Sequence, residues 1–196
     1  MRLFVGIPLA DAVARELSNT IARLREGQST EPGSRLRWTA PESWHITLQF
    51  LGNATEEQFT CLRARLGEVR AAAFSVELGE LGCFDRAGVL FADVTVTPEL
   101  AALERMVAAA TSRCGFAAET RPFHPHITLA RAKGQGRGAQ LRAIEARIHR
   151  QPAFTRYMAT ECVLFESHLG DGGARYEARM RVPLTGGPGP MEAANH

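Results

Sequence analysis

The sequence predicts an α+β fold with mainly antiparallel sheets, and three observations lead to this class. Predicted strands occur in pairs between successive helices, which is typical of antiparallel sheets and not of a doubly wound parallel sheet. The 196 residues are 45% hydrophobic and 22% charged, which excludes a disordered or fibrous chain. The tetrapeptide His-Ile-Thr-Leu occurs twice and indicates an internal duplication.

Hydrophobic spacing and capping residues predict two helices in the first half of the chain. Apolar residues at helical spacing, from Val13 to Leu24, predict a helix over 10–26. Thr55 and Gln58 have the spacing of a capping box and predict a second helix that runs to about residue 70. Runs of β-branched and aromatic residues predict strands at 2–7, 36–38, 44–51, 74–81 and 89–96.

The second half of the chain continues the alternation of predicted helices and strands. Pro98 opens a helix that ends at Cys114, and a basic helix is predicted at 140–149 after a glycine-rich loop at 133–138. The segment 186–196 is predicted to be a flexible C-terminal tail that follows a single domain over residues 1–185. Strands are predicted at 126–131, 153–157, 159–167 and 175–182.

Charge and cysteine usage indicate a soluble cytoplasmic protein. The net charge of +2 predicts no broad attraction for nucleic acid, so any affinity for a polyanion must come from a local patch. No stretch is apolar enough for a secretory signal or a membrane span. The cysteines form no CxxC pair and are interpreted as four separate thiols in a reducing compartment: Cys61, Cys83, Cys114 and Cys162.

The repeated tetrapeptide places chemically useful side chains on one face of a strand. Successive side chains alternate between the two faces, so His45 and Thr47 share one face while Ile46 and Leu48 share the other. The same holds for His126 and Thr128 in the second copy. Two such strands that meet would surround one cleft with two imidazoles and two hydroxyls.

This set of groups suits phosphoester chemistry without a metal. One imidazole can deprotonate a water and the other can protonate a leaving oxygen, since the ordinary pKa of histidine is close to neutral pH. The hydroxyls of Thr47 and Thr128 can donate hydrogen bonds to phosphoryl oxygens. Arg131 can supply positive charge to the transition state. Its odd separation from His126 puts it on the wrong face of an ideal strand, so it needs a bulge, a twist or the strand end.

The two HxTx motifs resemble those of the 2H phosphoesterase superfamily, and the surrounding sequence resembles the RNA 2′,3′-cyclic phosphodiesterases, also called 2′-5′ RNA ligases. The similar blocks are RLFVGIP at 2–8, RWTAPESWHITLQFLG at 37–52, RPFHPHITLAR at 121–131 and VLFESHLGDGGARYE at 163–177. The resemblance implies a bilobal domain whose two pseudo-twofold-related lobes each give one HxTx strand to a central cleft.

The resemblance also implies an activity and roles for particular residues. The activity is hydrolysis of RNA 2′,3′-cyclic phosphate ends to 2′-phosphates, a step of RNA processing, with no cofactor and no metal. His45 is the implied general acid and His126 the implied general base, although the pseudo-symmetry lets these roles exchange. The phosphate is held by Thr47, Thr128 and Arg131, and Phe50 and Phe84 are possible nucleotide contacts. No protein partner is implied, and a monomer is expected.

Several alternatives remain open from the sequence alone. Ligation through the same cleft and a binding module with little turnover are the alternative functions. His124, in HPH, has the spacing of half a metal site, and phenylalanines such as Phe50 and Phe84 are more often core residues than platforms for base stacking. Gln49 and Asp85 depart from the lysine and proline that relatives often have there. Four basic residues are either RNA contacts or solvated surface: Arg35, Arg37, Lys133 and Arg137.

Overall fold

Residues 1–26, 36–132, 137–148, 153–170 and 173–185 are described by the structure, a computed structural model. The helices are α1 (Asp11–Arg25), α2 (Glu56–Leu66), α3 (Pro98–Ser112) and α4 (Arg137–Glu145). The strands are β1 (Arg2–Pro8), β2 (Arg37–Trp38), β3 (His45–Asn53), β4 (Phe74–Val76), β5 (Leu78–Phe84), β6 (Val89–Val94), β7 (His126–Arg131), β8 (Tyr157–Ala159), β9 (Glu161–Gly170) and β10 (Gly173–Pro183). A short 3-10 helix, Pro41–Ser43, leads into β3.

Two four-stranded sheets form the two lobes of the fold. Their strand orders are β10-β9-β1-β3 and β2-β7-β6-β5, and every strand pair in them is antiparallel. Strands β3 and β7 contact each other, so the two copies of the repeated tetrapeptide meet where the lobes join. The predicted α+β fold with two lobes is confirmed.

Local sequence signals account for the helix starts. The Thr55 hydroxyl accepts a hydrogen bond from the Gln58 amide and the Gln58 side chain accepts one from the Thr55 amide, which confirms the capping box. Thr97 caps α3 in a similar way, and Pro98 occupies the first turn, where its missing N–H costs nothing. Helix α1 buries the apolar stripe that includes Val13 and Leu17.

Two strand predictions were wrong in detail. The run 74–81 is divided between β4, which pairs only with β8, and β5, which belongs to the second lobe. The division falls at Glu77, whose carbonyl accepts a hydrogen bond from the Thr95 amide. The predicted strand at 153–157 is irregular up to Tyr157, where β8 begins. The second predicted helix ends at Leu66, four residues short of the predicted end near residue 70.

The interpretation of four separate thiols was also wrong. Cys61 on α2 and Cys114 after α3 form a disulfide, with their Cα atoms 5.7 Å apart, while Cys83 and Cys162 are free. The two half-cystines are 53 residues apart, so their approach depends on the packing of α2 against α3 and is invisible in their spacing. The cytoplasmic expectation therefore loses the support that it drew from unpaired cysteines.

Some predictions concern segments that lie outside the described residues. These are the loop at 28–35 with Arg35, Lys133 in the glycine-rich loop, and the tail at 186–196. The domain boundary at residue 185 and the monomeric state stay predictions.

Candidate functional site

The two HITL strands alternate faces as their sequence predicts. Ile46 and Ile127 are fully buried in the core, whereas His45 and His126 are only partly buried on the opposite face. Thr47 and Thr128 are half-buried beside their histidines, and neither hydroxyl forms a hydrogen bond to another described residue. Both hydroxyls are therefore free to donate to a ligand in the cleft.

A β-bulge falls at the leucine of each HITL motif and changes which residues face the cleft. In β7, Thr128 lies opposite Phe91 and Ala130 lies opposite Leu90, so Leu129 has no partner on β6. This extra residue reverses the alternation, leaves Leu129 and Ala130 both buried, and exposes Arg131. The bulge thus brings Arg131 to the face of His126, which an ideal strand would not do.

The same device operates in β3 with a different outcome. Thr47 lies opposite Gly6 and Gln49 lies opposite Val5, which skips Leu48. Five residues after its histidine, each lobe therefore presents one side chain, and the first lobe presents Phe50, 67% exposed, where the second presents Arg131. One side of the cleft carries a cation and the other an aromatic ring.

Both histidine rings are held by the same backbone contact. The Nδ1 atom of His45 lies 2.9 Å from the Ser43 carbonyl oxygen, and that of His126 lies 2.9 Å from the His124 carbonyl oxygen. Because a carbonyl can only accept, each Nδ1 carries the proton and donates it. In the neutral ring the Nε2 atom is then a proton acceptor, and in the charged ring it is a donor.

Aromatic rings enclose His45. Its ring centroid lies 4.5 Å from that of Phe4 and 6.0 Å from that of Phe165, and Tyr176 meets it edge-on at 5.0 Å. A side chain at Gly6 would put a Cβ atom 2.9 Å from the Ile46 carbonyl and 3.3 Å from the His45 ring, so glycine lets β1 approach this closely. Sequence reasoning did not single out Phe4, Phe165 or Tyr176 as site residues.

His126 has a more polar environment. Phe84 and Phe91 stack on each other and meet the His126 ring edge-on at 5.1 and 5.6 Å. Asp93 lies directly opposite His126 on β6, and its Oδ1 atom lies 3.0 Å from Nε2 of His124. Phe84 is thus part of the wall that orients His126, and the ring of His124 is engaged with a carboxylate.

These surroundings lower both histidine pKa values by different amounts. Burial lowers the pKa of His45 to about 4, the bond to the Ser43 carbonyl opposes this, and the charge of His126 lowers it further. Burial also lowers the pKa of His126. The His124 carbonyl and the Asp93 carboxylate act in the opposite direction, while the charges of His124 and Arg131 add to the lowering. Both rings are therefore neutral at neutral pH in the free protein.

Charges reach the cleft from both lobes. Burial raises the pKa of the Tyr176 hydroxyl, while the guanidinium groups of Arg131 and Arg2 lower it. Arg131 therefore influences His126 in its own lobe and Tyr176 in the other, which is consistent with a position at the junction of the lobes. Arg2 lies two residues before Phe4 on β1 and acts on Tyr176 through its charge, and sequence reasoning did not single it out.

The departure at Gln49 does not reach the cleft. Gln49 is buried, its Oε1 atom accepts a hydrogen bond of 2.6 Å from the Thr111 hydroxyl, and its Nε2 atom donates to the Ala117 carbonyl. The second departure, Asp85, is exposed in the turn between β5 and β6. Gln49 thus joins β3 to α3 and leaves the histidine face unchanged.

One group among the described residues has potential metal ligands close together. One ligand atom each of Glu166, His168 and Glu177 lies within 4.8 Å of the others. Glu166 already forms an ion pair with Arg179, and His168 lies 3.2 Å from Glu177. Glu166 and Phe165 are adjacent on β9, so their side chains project from opposite faces of the sheet. Since Phe165 is on the face of His45, the group of Glu166 is on the other face and offers no ligand to the cleft.

Comparison with known proteins identifies the family. The family model described as the 2′-5′ RNA ligase superfamily matches residues 13–171. The RNA 2′,3′-cyclic phosphodiesterase of Escherichia coli (strain K12) is 30% identical over 186 residues, covering 94% of this chain and 97% of that protein. The protein of the same name from Bacillus subtilis (strain 168) is 29% identical over 188 residues, covering 93% and 96%.

Solved structures give the same assignment. E. coli LigT complexed with 3′-AMP superposes with a TM-score of 0.75 at 28% identity, covering 94% of this chain and 98% of that chain. LigT complexed with phosphate gives a TM-score of 0.71 at 26% identity over the same shares of the two chains. The fold and the paired HxTx strands define a 2H phosphoesterase. The chain belongs to the 2′-5′ RNA ligase superfamily, and its predicted membership in this enzyme family is confirmed.

The predicted absence of a membrane association rests on hydropathy. In the part of the chain that the structure describes, no helix is both long and apolar enough to cross a bilayer.

Proposed function

We propose that the protein hydrolyses RNA 2′,3′-cyclic phosphate ends to 2′-phosphates by general acid and base catalysis, without a metal ion. The observation that carries this proposal is the pair of β-bulged HITL strands, which turn two Nδ1-anchored imidazoles, two unengaged hydroxyls and Arg131 toward one junction. The names of the relatives support the substrate class. A complex of LigT with 3′-AMP supports a nucleotide ligand.

The reaction requires two proton transfers and one displacement at phosphorus. His126 takes a proton from a water, whose oxygen forms a bond to phosphorus. The bond from phosphorus to the 3′ oxygen breaks, and His45 gives its proton to that oxygen, which leaves a 2′-phosphate. Arg131 and the hydroxyls of Thr47 and Thr128 bind the non-bridging oxygens, where negative charge accumulates. Each imidazole ends in the protonation state in which the other began, and solvent restores both.

The low pKa of His45 adds a condition to its role as the acid. A ring with a pKa of about 4 is uncharged at neutral pH, so its proton must be stabilised by the bound substrate. The anionic cyclic phosphate meets this condition, because a nearby negative charge favours the imidazolium. His126 is the alternative acid, since its carbonyl bond and Asp93 oppose the lowering of its pKa.

The aromatic side of the cleft suits the nucleoside. Phe50 is exposed and its ring centroid lies 6.1 Å from that of Phe4, which itself packs on His45. Aromatic rings bind unpaired bases by stacking. Phe50 is therefore proposed as the base contact, while Phe84 is proposed to act by packing against His126.

The test is hydrolysis of a nucleoside 2′,3′-cyclic phosphate in excess EDTA, with identification of the product isomer. His45→Ala and His126→Ala are each expected to lower kcat by about 10²-fold or more, because each removes one proton-transfer group. His168→Ala is the matched control, since this histidine pairs with Glu177 on the other sheet face. Full activity of the doubly substituted protein, or a 3′-phosphate product, contradicts the proposal.

A further inference from the structure

Two arginines lie directly opposite each other at the edge of the second lobe. Strand β2 consists of Arg37 and Trp38, and it pairs with β7 so that Arg37 is the partner of Arg131. Directly opposed residues in an antiparallel pair project from the same face. Trp38 and its partner Ala130 are on the core side, where Ala130 is fully buried, and both arginines are exposed on the other.

This arrangement is electrostatically unfavourable without a ligand. Like charges directly opposite each other destabilise a strand pair. Among the described residues, carboxylates pair with several other arginines, including Arg65, Arg121 and Arg156, whereas neither Arg37 nor Arg131 has such a partner. No carboxylate of the described residues balances the charge of this pair, which makes it a candidate site for an anion.

If Arg131 binds the reacting phosphate, Arg37 remains available to bind a second phosphate. The proposed substrate carries further phosphates, and the nearest is the 5′-phosphate that joins the terminal nucleotide to the rest of the RNA. Arginine binds phosphate through a planar fork with several donors. Strand β2 pairs directly with β7, which carries His126 and contacts β3, whereas β5 forms the opposite edge of this sheet, so Arg37 is on the edge next to the HITL strand.

We propose that Arg37 binds the 5′-phosphate of the terminal nucleotide, so that the cleft recognises an RNA end and not only a cyclic phosphate. This inference rests on the proposed function and deepens it. The protein then prefers a terminal nucleotide that is 5′-phosphorylated over the same nucleoside with a 5′-hydroxyl. Arg131 serves both substrates, whereas Arg37 serves only the phosphorylated one.

The experiment compares two substrates that differ by one phosphate. These are a nucleoside 2′,3′-cyclic phosphate with a 5′-hydroxyl and the same compound with a 5′-phosphate. The unsubstituted protein is expected to have a higher kcat/KM for the phosphorylated compound, mainly through KM. Arg37→Ala is expected to reduce the ratio of the two kcat/KM values by about tenfold, as expected for one charged hydrogen-bond contact. Arg37→Lys, which keeps the charge and loses the fork, is expected to retain part of the ratio.

A matched variant separates this effect from a change in total charge. Arg65→Ala removes one positive charge from α2, where Arg65 pairs with Glu68, and is expected to leave the ratio unchanged. The inference is overturned if the unsubstituted protein shows no preference, or if Arg37→Ala retains it. Hydrolysis itself is read separately: if the unsubstituted protein hydrolyses neither compound, the proposed function is contradicted and not the assignment of Arg37.

Discussion

His45 and His126 have the same Nδ1 contact but different surroundings. Around His45 the neighbours are Phe4, Phe165 and Tyr176, and around His126 they include the carboxylate of Asp93. A desolvated imidazole is less easily charged than one beside a carboxylate. Two histidines in the same tetrapeptide therefore have different surroundings, and the proposed assignment of acid and base depends on how a bound substrate changes each pKa.

The pKa of His45 is directly measurable. We expect an NMR titration of its ring to give a pKa of about 4 in the free protein, and a higher value when a 2′-nucleotide is bound. Since the folded-state pKa is below the unfolded value near 6.5, stability is retained above pH 6.5 and lost as the pH falls toward 4.

Two results would contradict parts of this assignment. A free-protein pKa near 6.5 would contradict the role of burial. A value that stays near 4 in the nucleotide complex would contradict His45 as the acid and favour His126.

At the scale of the element, the sequence required a bulge, a twist or the strand end for Arg131 but could not locate the bulges at Leu48 and Leu129. The period-two pattern correctly predicts the faces of His45 and Thr47, because these depend on the strand alone. The position of Arg131 depends on how β7 pairs with β6, since the unpaired Leu129 reverses the alternation only in that pairing. Capping at Thr55 is local and was predictable. The division of the predicted strand 74–81 at Glu77 depends on two different partner strands, so it was not predictable.

The disulfide fixes the packing of two helices. Replacing Cys61 with serine is expected to lower the stability by about 4 kcal/mol, because the 53-residue separation of Cys61 and Cys114 gives a large loop-closure entropy in the unfolded chain. Thermal unfolding under non-reducing conditions should show a fall in Tm on the order of 10 °C for a domain of this size. Cys83→Ser, at a free and half-buried cysteine, is the control. An unchanged Tm for Cys61→Ser, or insensitivity of the unsubstituted protein to a reductant, would contradict a stabilising disulfide.

The whole molecule has a net charge of only +2, so its affinity for RNA must be local. In the proposed complex Arg37 and Arg131 each contact one phosphate, and each contact to single-stranded nucleic acid contributes a slope of about −0.7 to the dependence of log affinity on log salt. We expect log(kcat/KM) for a cyclic-phosphate dinucleotide to fall with a slope between about −0.7 and −1.4. A longer oligonucleotide should give the same slope, because no further phosphate is held.

Kinetics from low to physiological salt with both substrates measure this slope, and Arg37→Ala should reduce the slope by about 0.7. A slope that steepens with RNA length would instead require an extended basic surface, and the recognition of the terminus by two arginines would then be wrong.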